Sequence, residues 1–417
     1  MTAPEATAGP AEATARREEA ALLARILPVR LLINAQFRIV YPFLPAIGRG
    51  LGVPLETAAL LVAFRAGFGA VSPLFGYLAD RFGRKRMMVA GALALMAGAG
   101  IVAIAPVFGF VLAGFGLLGI AQSAYDPAMQ AHVSDLVPQE RRGRALGIVE
   151  LSWAGSWLIG VPATGFLMAR WGWQSPFAVI AVLAAFSVWL TLTVRETAPG
   201  LPTSAPGLPS SAPGLPTPAP GDGQVRVSAL PRPVLYALAA SALILFANET
   251  LFIVYGALME DRFGLALGVL GAASIVVSVA ELVGATTVVT WVDRIGKRRA
   301  LIGGLLVNAA CFALLPVMGA SLPLALTGLA AVALTSEFSI VTSIPLLSGL
   351  ADRSRGLVMA VRTALMWGMV IVGSFVAPRL WHAYGLPAVA ATSATAILMA
   401  ALLVWRGVRA DTLQPDR

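Results

Sequence analysis

The chain has 417 residues, of which 58% are hydrophobic and only 12% are charged, and its formal net charge is +9. So few charges cannot cover the surfaces of two or three soluble domains, and this composition therefore excludes an ordinary soluble protein and favours a membrane protein. The excess of Arg and Lys then indicates loop charges that orient the chain in a bilayer, not a surface that binds nucleic acid.

The chain begins with a predicted tail, 1–28, whose first 22 residues are polar and lack the apolar core of a secretory signal peptide. Twelve apolar stretches follow, each close to the roughly 20 residues that a helix needs to cross a bilayer. They cover 29–48, 57–78, 87–106, 108–131, 145–168, 176–194, 234–257, 266–291, 300–318, 322–347, 357–378 and 386–405. The sequence therefore predicts an all-α membrane protein with twelve transmembrane helices.

Residues 196–232 separate the sixth and seventh stretches and differ in composition from both. Within them, 198–221 repeats a seven-residue unit that begins APGLP and is rich in Pro and Gly. Such a segment has too few hydrophobic residues to pack, and it predicts a disordered linker. The linker divides the chain into two six-helix bundles, 29–195 and 233–406, and a C-terminal tail, 407–417, follows. With the linker and both tails in the cytoplasm, most Arg and Lys also fall on the cytoplasmic side, as the positive-inside rule requires.

One charged segment occurs twice, half a chain apart. "GYLADRFGRKR" at 76–86 is matched by "TWVDRIGKRRA" at 290–300, and Asp80 and Asp293 are 213 positions apart. The tripeptide "IVY" at 39–41 recurs at 253–255, at nearly the same offset. A constant offset between matching segments indicates internal duplication. We therefore predict two pseudo-symmetric bundles related by an axis along the membrane normal.

The first charged segment resembles the loop signature of the major facilitator superfamily, as does "VPQERRGRALG" at 137–147, and the resemblance covers all twelve spans. It implies a secondary transporter, monomeric in a bacterial inner membrane, that binds a small molecule between its bundles and works by alternating access. "GVPATG" at 160–165 is similar to the signature of antiporters in this superfamily and implies export. Its motif residues are Gly160, Pro162 and Gly165. The arginine that related drug/proton antiporters carry in span 4 is absent, and Phe115 stands in its place.

The repeated charged segment has chemistry suited to a contact between helices. Asp80 lies at a helix end, where a carboxylate can accept hydrogen bonds from the N-terminus of another helix. Gly76 lets a neighbouring helix approach closely. The resemblance implies a conformational latch between the bundles, formed by Gly76, Asp80, Arg81, Gly83, Arg84, Asp293 and Arg294. The alternative is that the basic residues only fix the topology.

Charged side chains inside the spans are costly in a bilayer and are therefore functional candidates. Spans 3, 6, 9 and 12 have none, so we expect these four helices to face lipid. The other spans supply the candidate substrate and proton pathway: Arg38, Arg65, Asp126, Glu150, Glu249, Glu281, Glu337 and Arg362.

The C-terminal bundle has three of these acids and only one of the arginines. A carboxyl group that is buried without a basic partner holds a proton readily. We therefore predict proton coupling through Glu249 and Glu337, with Glu281 next, or else contacts from these acids to a cationic substrate. Glu150 either belongs to the same pathway or only neutralises Arg38.

Enzyme activity is not expected, because the buried charges are spread over eight helices without a nucleophile and base pair. No nucleotide-binding loop occurs, and one Cys and two His give no metal-site spacing, so we predict no cofactor or metal. The function predicted is proton-coupled export of a small organic molecule. The alternatives are a proton-coupled importer on the same fold and a non-transporting membrane receptor.

Overall fold

The computed structural model describes residues 10–196, 230–351 and 355–408, and all of its regular elements are helical. The N-terminal bundle contains α1 (Pro10–Arg38), α2 (Val40–Gly50), α3 (Leu55–Ala70), α4 (Ser72–Phe82), α5 (Arg84–Ile104), α6 (Phe108–Leu136), α7 (Gln139–Gly155), a π-helical turn (Ser156–Gly160), α8 (Val161–Trp171) and α9 (Ser175–Leu192). The C-terminal bundle contains α10 (Arg232–Phe263), α11 (Leu267–Ile295), α12 (Lys297–Met318), α13 (Leu322–Leu350) and α14 (Arg355–Gly407). Most of the predicted linker, 197–229, lies outside the described residues.

These helices account for the twelve predicted spans. Ten helices of the described chain are long and apolar enough to cross a membrane, and the pair α3 and α4, bent by 47°, makes an eleventh span. The non-helical Gly385 divides the 53-residue α14 into the last two spans. The prediction of an all-α membrane protein with twelve spans is confirmed. The first helix begins at Pro10, inside the segment assigned to a tail, because Leu22, Leu23 and Ile26 are buried.

Three spans of the N-terminal bundle are interrupted near the middle, and proline explains each interruption. Pro42 and Pro73 have no amide hydrogen to donate to the preceding turn, and they follow the break between α1 and α2 and that between α3 and α4. Pro162 follows the π-helical turn between α7 and α8. Each of these spans therefore has two halves that can take different directions.

The two bundles have the same backbone conformation at equivalent turns. Six glycines have positive φ values, a conformation that other residues rarely adopt. They form three pairs at nearly the offset of the repeated motif: Gly52 (66°) with Gly264 (60°), Gly83 (99°) with Gly296 (91°), and Gly172 (87°) with Gly385 (66°). The internal duplication that we predicted from Asp80 and Asp293 therefore extends to the turns between helices.

The two bundles contact each other mainly at one end. We call the end with the Gly83 and Gly296 turns the basic end, and the other the opposite end. The main contacts between bundles join α2 with α10, α3 with α14, and α8 with α11, and they use the halves of spans 1, 2 and 5 nearer the opposite end. The halves nearer the basic end, α4 and α7, pack mainly on helices of their own bundle. This conformation is therefore closed at the opposite end and open at the basic end.

The helices without buried charges lie on the outside. The main contacts of α5, α9 and α12 are with helices of their own bundle. Their outer faces expose apolar side chains, such as Phe186 and Trp189, whose rings stack 5.3 Å apart on α9. A surface of this kind is suited to lipid, and the charged residues are left to the remaining helices.

Candidate functional site between the two bundles

Arg38 lies at the centre of the interface between the bundles, close to the break in span 1. Its guanidinium lies 4.0 Å from the ring centre of Trp153 and 4.9 Å from that of Trp157. Its Nη2 lies 3.5 Å from Oε2 of Glu281, which belongs to the other bundle. Arg38 therefore joins the two bundles through an ion pair that is almost fully buried.

Glu249 makes a second polar contact across the interface. The Tyr41 hydroxyl donates a hydrogen bond of 3.0 Å to Oε2 of Glu249. Tyr41 belongs to α2 and is only 3% exposed, and Glu249 belongs to α10. The charge on the Glu249 carboxyl group therefore affects the strength of a contact that holds the opposite end closed. Sequence analysis did not single out Tyr41, since a tyrosine in an apolar span usually serves packing.

Arg65 has a different environment from Arg38. It is 1% exposed, and its Nη1 donates to the backbone oxygens of Gln36 and Phe37, both at 3.3 Å. Its guanidinium also lies 4.2 Å from the ring centre of Phe37. These carbonyl groups belong to the last turn before the break in span 1. Arg65 therefore holds the break in place, and it positions Arg38 and Tyr41 on either side.

Glu337 and Arg362 complete the central group from the C-terminal bundle. Glu337 on α13 has no ion-pair partner among the described residues, and its electrostatic neighbours are Glu281, Arg38 and Arg362. Arg362, on α14, is an electrostatic neighbour of Glu337. Two carboxyl groups, Glu281 and Glu337, therefore lie close to each other, with Arg38 as a neighbour of both.

Asp126 and Glu150 lie apart from this centre and pair with a residue of their own bundle. Both pair with Arg30 of α1: Asp126 directly, and Glu150 at 3.9 Å. The expectation that Glu150 neutralises Arg38 is wrong, because Arg38 is paired with Glu281 instead. Arg30 was not singled out from the sequence, since it lies two residues inside the first predicted span, where a basic residue usually marks a boundary.

The latch segment makes its contacts within the N-terminal bundle in this conformation. Arg84 pairs with Asp135, donates to the backbone oxygen of Ala131 at 2.7 Å, and lies 4.0 Å from Asp80. The Asp80 side chain is 50% exposed, and a side-chain atom added at Gly76 would meet nothing within 4 Å. The close helix approach expected at Gly76 is therefore not present while the basic end is open.

The remaining latch residues are also at the basic end. Gly83 supplies the positive φ of the turn between α4 and α5, and the Arg81 guanidinium lies 5.6 Å from the ring centre of Phe82. Arg294 is exposed at the end of α11. Asp293 belongs to the same helix, but its side chain lies outside those described.

Small residues let the bundles approach closely at the opposite end. A side-chain carbon added at Gly165 would lie 2.5 Å from the backbone oxygen of Leu267 and 3.0 Å from the Cα of Gly271. A carbon added at Gly256 would collide with the backbone of Pro42. Gly165 belongs to the antiporter-like motif on α8, and Leu267 and Gly271 belong to α11. In the same motif, Gly160 ends the π-helical turn and Pro162 lies in the first turn of α8.

An ion pair closes the rim of the opposite end. Nη1 of Arg49, at the end of α2, lies 2.5 Å from Oε2 of Glu260 on α10. The Glu260 side chain is 10% exposed, and that of Arg49 is 61% exposed.

Changing Glu260→Gln should favour opening of the opposite end, but only slightly. Because Arg49 is largely exposed, water screens this pair, and we expect the conformational equilibrium to shift by no more than about fivefold. The measurement is the distance between spin labels at Arg170→Cys and Ser321→Cys in a Cys311→Ser background. A larger shift would mean that this ion pair dominates the closed end.

Two six-helix bundles that are closed at one end and carry facing charges between them are the architecture of a secondary transporter. The chain belongs to the Major Facilitator Superfamily, whose family model matches residues 26–255. The prediction of a transporter and not an enzyme is thereby confirmed.

Proteins of similar sequence are also named as transporters. The chain is 34% identical over 166 residues to a multi-drug resistance efflux pump PmrA homolog of Lactococcus lactis, a match that covers 38% of this chain and 40% of the pump. It is 31% identical over 172 residues to the multidrug resistance protein MdtG of Klebsiella pneumoniae, covering 40% and 42%. The uncharacterized MFS-type transporter YwfA of Bacillus subtilis is 26% identical over 361 residues, or 84% of this chain and 83% of YwfA.

Solved structures share the fold at low sequence identity. A D-xylose–proton symporter superposes with a TM-score of 0.74 at 15% identity, covering 94% of this chain and 98% of the symporter. A bacterial homolog of the human lysosomal transporter Spinster, in an inward-facing and unoccupied conformation, superposes with a TM-score of 0.70 at 13% identity, covering 98% of each chain.

Proposed function

We propose that this transporter exports a small organic molecule in exchange for protons. The observation that carries the proposal is the hydrogen bond from Tyr41 to Glu249. It joins a buried carboxyl group of one bundle to the other bundle, at the end that is closed. Binding or release of a proton at Glu249 changes the charge that the Tyr41 hydroxyl stabilises. The protonation state of Glu249 and the contact that closes the opposite end are in this way linked.

The distribution of basic residues supports an inward-facing conformation, and two further observations favour export. By the positive-inside rule, the basic end, the linker and both tails are cytoplasmic, and the conformation described is then inward-facing. Export is supported by the position of the antiporter-like motif, in which Gly165 packs against α11 at the closed outer end. The similarity to multidrug efflux pumps favours the same direction.

The proposed transport cycle combines proton binding at Glu249 with an inward-facing starting conformation. In the inward-facing state, substrate enters from the cytoplasm toward the central group around Arg38, Glu281 and Glu337. Closure of the basic end and opening of the outer end expose Glu249 and Glu337 to the outer solution. Protons bind there, substrate leaves, and the protonated carrier returns. Alternating access requires only that the two states differ in which end is closed.

Proton release on substrate binding tests the proposal. Purified protein in detergent is mixed with a panel of antimicrobial and dye compounds in weak buffer, and the pH is followed with an indicator. Compounds that are transported should release protons from the wild type, and release should fall in Glu249→Gln. Compounds that bind with proton uptake in the wild type would instead support the proton-coupled importer.

The latch is expected to act in the state that is closed at the basic end. Asp80→Asn removes a charge that favours a helix N-terminus by about 0.3–2 kcal/mol. We expect the population closed at the basic end to fall by about two- to thirtyfold. The measurement is the distance between spin labels at Gln139→Cys and Arg299→Cys in a Cys311→Ser background. A shift toward the closed state would contradict the latch.

A further inference from the structure

Three helices of the N-terminal bundle bring together a group that the proposed cycle does not use. Arg30 on α1 is nearly buried, with a side chain 7% exposed, and it forms an ion pair with Asp126 on α6. Its Nη2 also lies 3.9 Å from Glu150 on α7. The Asp126 side chain is 19% exposed and that of Glu150 is 52% exposed. The Arg30 guanidinium thus interacts with two carboxyl groups, of which Asp126 is mostly buried and Glu150 is half exposed.

Glu150 faces the space between the bundles at the open end. Glu150, Trp153 and Trp157 recur at helical spacing, so they share one side of span 5. Trp157 packs on Phe252 of the other bundle, with ring centres 6.0 Å apart. The exposed half of Glu150 therefore belongs to the opening at the basic end, and closure of that end removes its water.

Among the described residues, Arg30 is the one cation whose charge acts on Asp126 and Glu150. The electrostatic neighbours of Arg30 are Asp126, Glu150 and Tyr125. The Tyr125 side chain is buried and neutral. The helix α9, which also packs on α1, brings the neutral Thr191 to this region.

Other charged or titratable residues on the packed helices include Arg25 on α1, His132 on α6, and Arg142 and Arg144 on α7, and none of them is an electrostatic neighbour of Asp126 or Glu150. Arg38, two turns along α1, pairs with Glu281, and Asp135, at the end of α6, pairs with Arg84. Arg141 at the start of α7 pairs with Glu19. Arg30, Asp126 and Glu150 together therefore have a net charge of −1 when both carboxyl groups are ionised.

We propose that Arg30, Asp126 and Glu150 form a second proton site, which is empty when the basic end is open and occupied when it is closed. The inference rests on the alternating access of the proposed function. In the open state, water solvates the charge on Glu150. In the closed state that charge is buried, and Arg30 cannot neutralise it because it already neutralises Asp126. Burial of an unpaired charge costs several kcal/mol, and a single shared proton removes this cost.

The shared proton predicts an unusual pattern among variants. Closure of the basic end should shift with pH by up to about tenfold per pH unit for this one proton. Glu150→Gln should abolish that dependence, because no charge is left to neutralise. Asp126→Asn should abolish it as well, because Arg30 is then free to neutralise Glu150. Arg30→Gln should do the opposite and steepen it, because two carboxyl groups then need protons.

The experiment measures the distance between labels at Gln139→Cys and Arg299→Cys from acid to neutral pH. The full chain is used, in a background of Cys311→Ser, Glu249→Gln and Glu337→Gln, so that the carboxyl groups of the proposed coupling site do not contribute. Loss of the pH dependence in Asp126→Asn as well as in Glu150→Gln supports the shared site. A background protein without any pH dependence would overturn it, as would an Asp126→Asn variant that keeps the dependence of its parent. Neither result bears on coupling through Glu249 and Glu337.

Discussion

Replacing Glu249 or Glu337 with glutamine is expected to abolish pH-driven accumulation of substrate while sparing exchange of substrate down its own gradient. Glutamine keeps the size of the side chain, and at position 249 its oxygen can still accept the hydrogen bond from Tyr41. It cannot bind or release a proton. A pH difference of one unit can drive about tenfold accumulation of substrate for each coupled proton. In the variants we expect no proton-driven accumulation.

Two control variants separate loss of coupling from loss of structure. Glu56→Gln, in the first turn of α3, removes a carboxyl group at the opposite end and should leave accumulation unchanged. Glu281→Gln breaks the ion pair with Arg38 and should weaken contact between the bundles, so we expect exchange to fall together with accumulation. Full proton-driven accumulation in both Glu249→Gln and Glu337→Gln would place the coupling site in the N-terminal bundle.

Replacing Gly165 with leucine is expected to hold the opposite end open. Any side chain at this position meets the backbone of Leu267 and Gly271, which cannot move aside without separating the bundles. Overpacking typically costs about 1–3 kcal/mol. We therefore expect the closed population to fall by about five- to 150-fold, with transport lost as a result. The label pair at Arg170→Cys and Ser321→Cys measures the change.

The matched control is Gly100→Leu on α5, where an added side chain meets nothing within 4 Å. It makes the same chemical change in a transmembrane helix and should leave the distance unchanged. An unchanged distance in Gly165→Leu would mean that the contact between α8 and α11 does not determine closure.

Much of the fold could be predicted from the sequence, because span length and internal duplication are properties of a single chain. The repeated Asp80 and Asp293 segments predicted two equivalent bundles, and the paired turns at Gly83 and Gly296 agree with them. The start of the first helix could not be predicted. Residues 10–28 are too polar for a span, and their part of the helix is stabilised by burial of a few leucines and an isoleucine against other helices.

The candidate site was predicted only as a set of charges. The cost of charge in a bilayer identified Arg38, Glu249, Glu281 and Glu337, but it did not indicate which groups pair. The partner of Arg38 proved to be more than 200 positions away in sequence, and spacing along one helix contains no information about such contacts. Tyr41 was missed because its role depends on Glu249, which it meets only after the bundles assemble.

Flux in an imposed pH gradient tests proton-coupled export most directly. Protein of fixed orientation in vesicles is given a compound that released protons in the binding screen, and the internal pH and the compound are followed together. The account predicts that the compound enters at the basic end and leaves at the opposite end against its own gradient while protons move the opposite way, and that Glu249→Gln abolishes both movements against a gradient. Movement of compound and protons in the same direction, or accumulation that persists without a proton gradient, would contradict it.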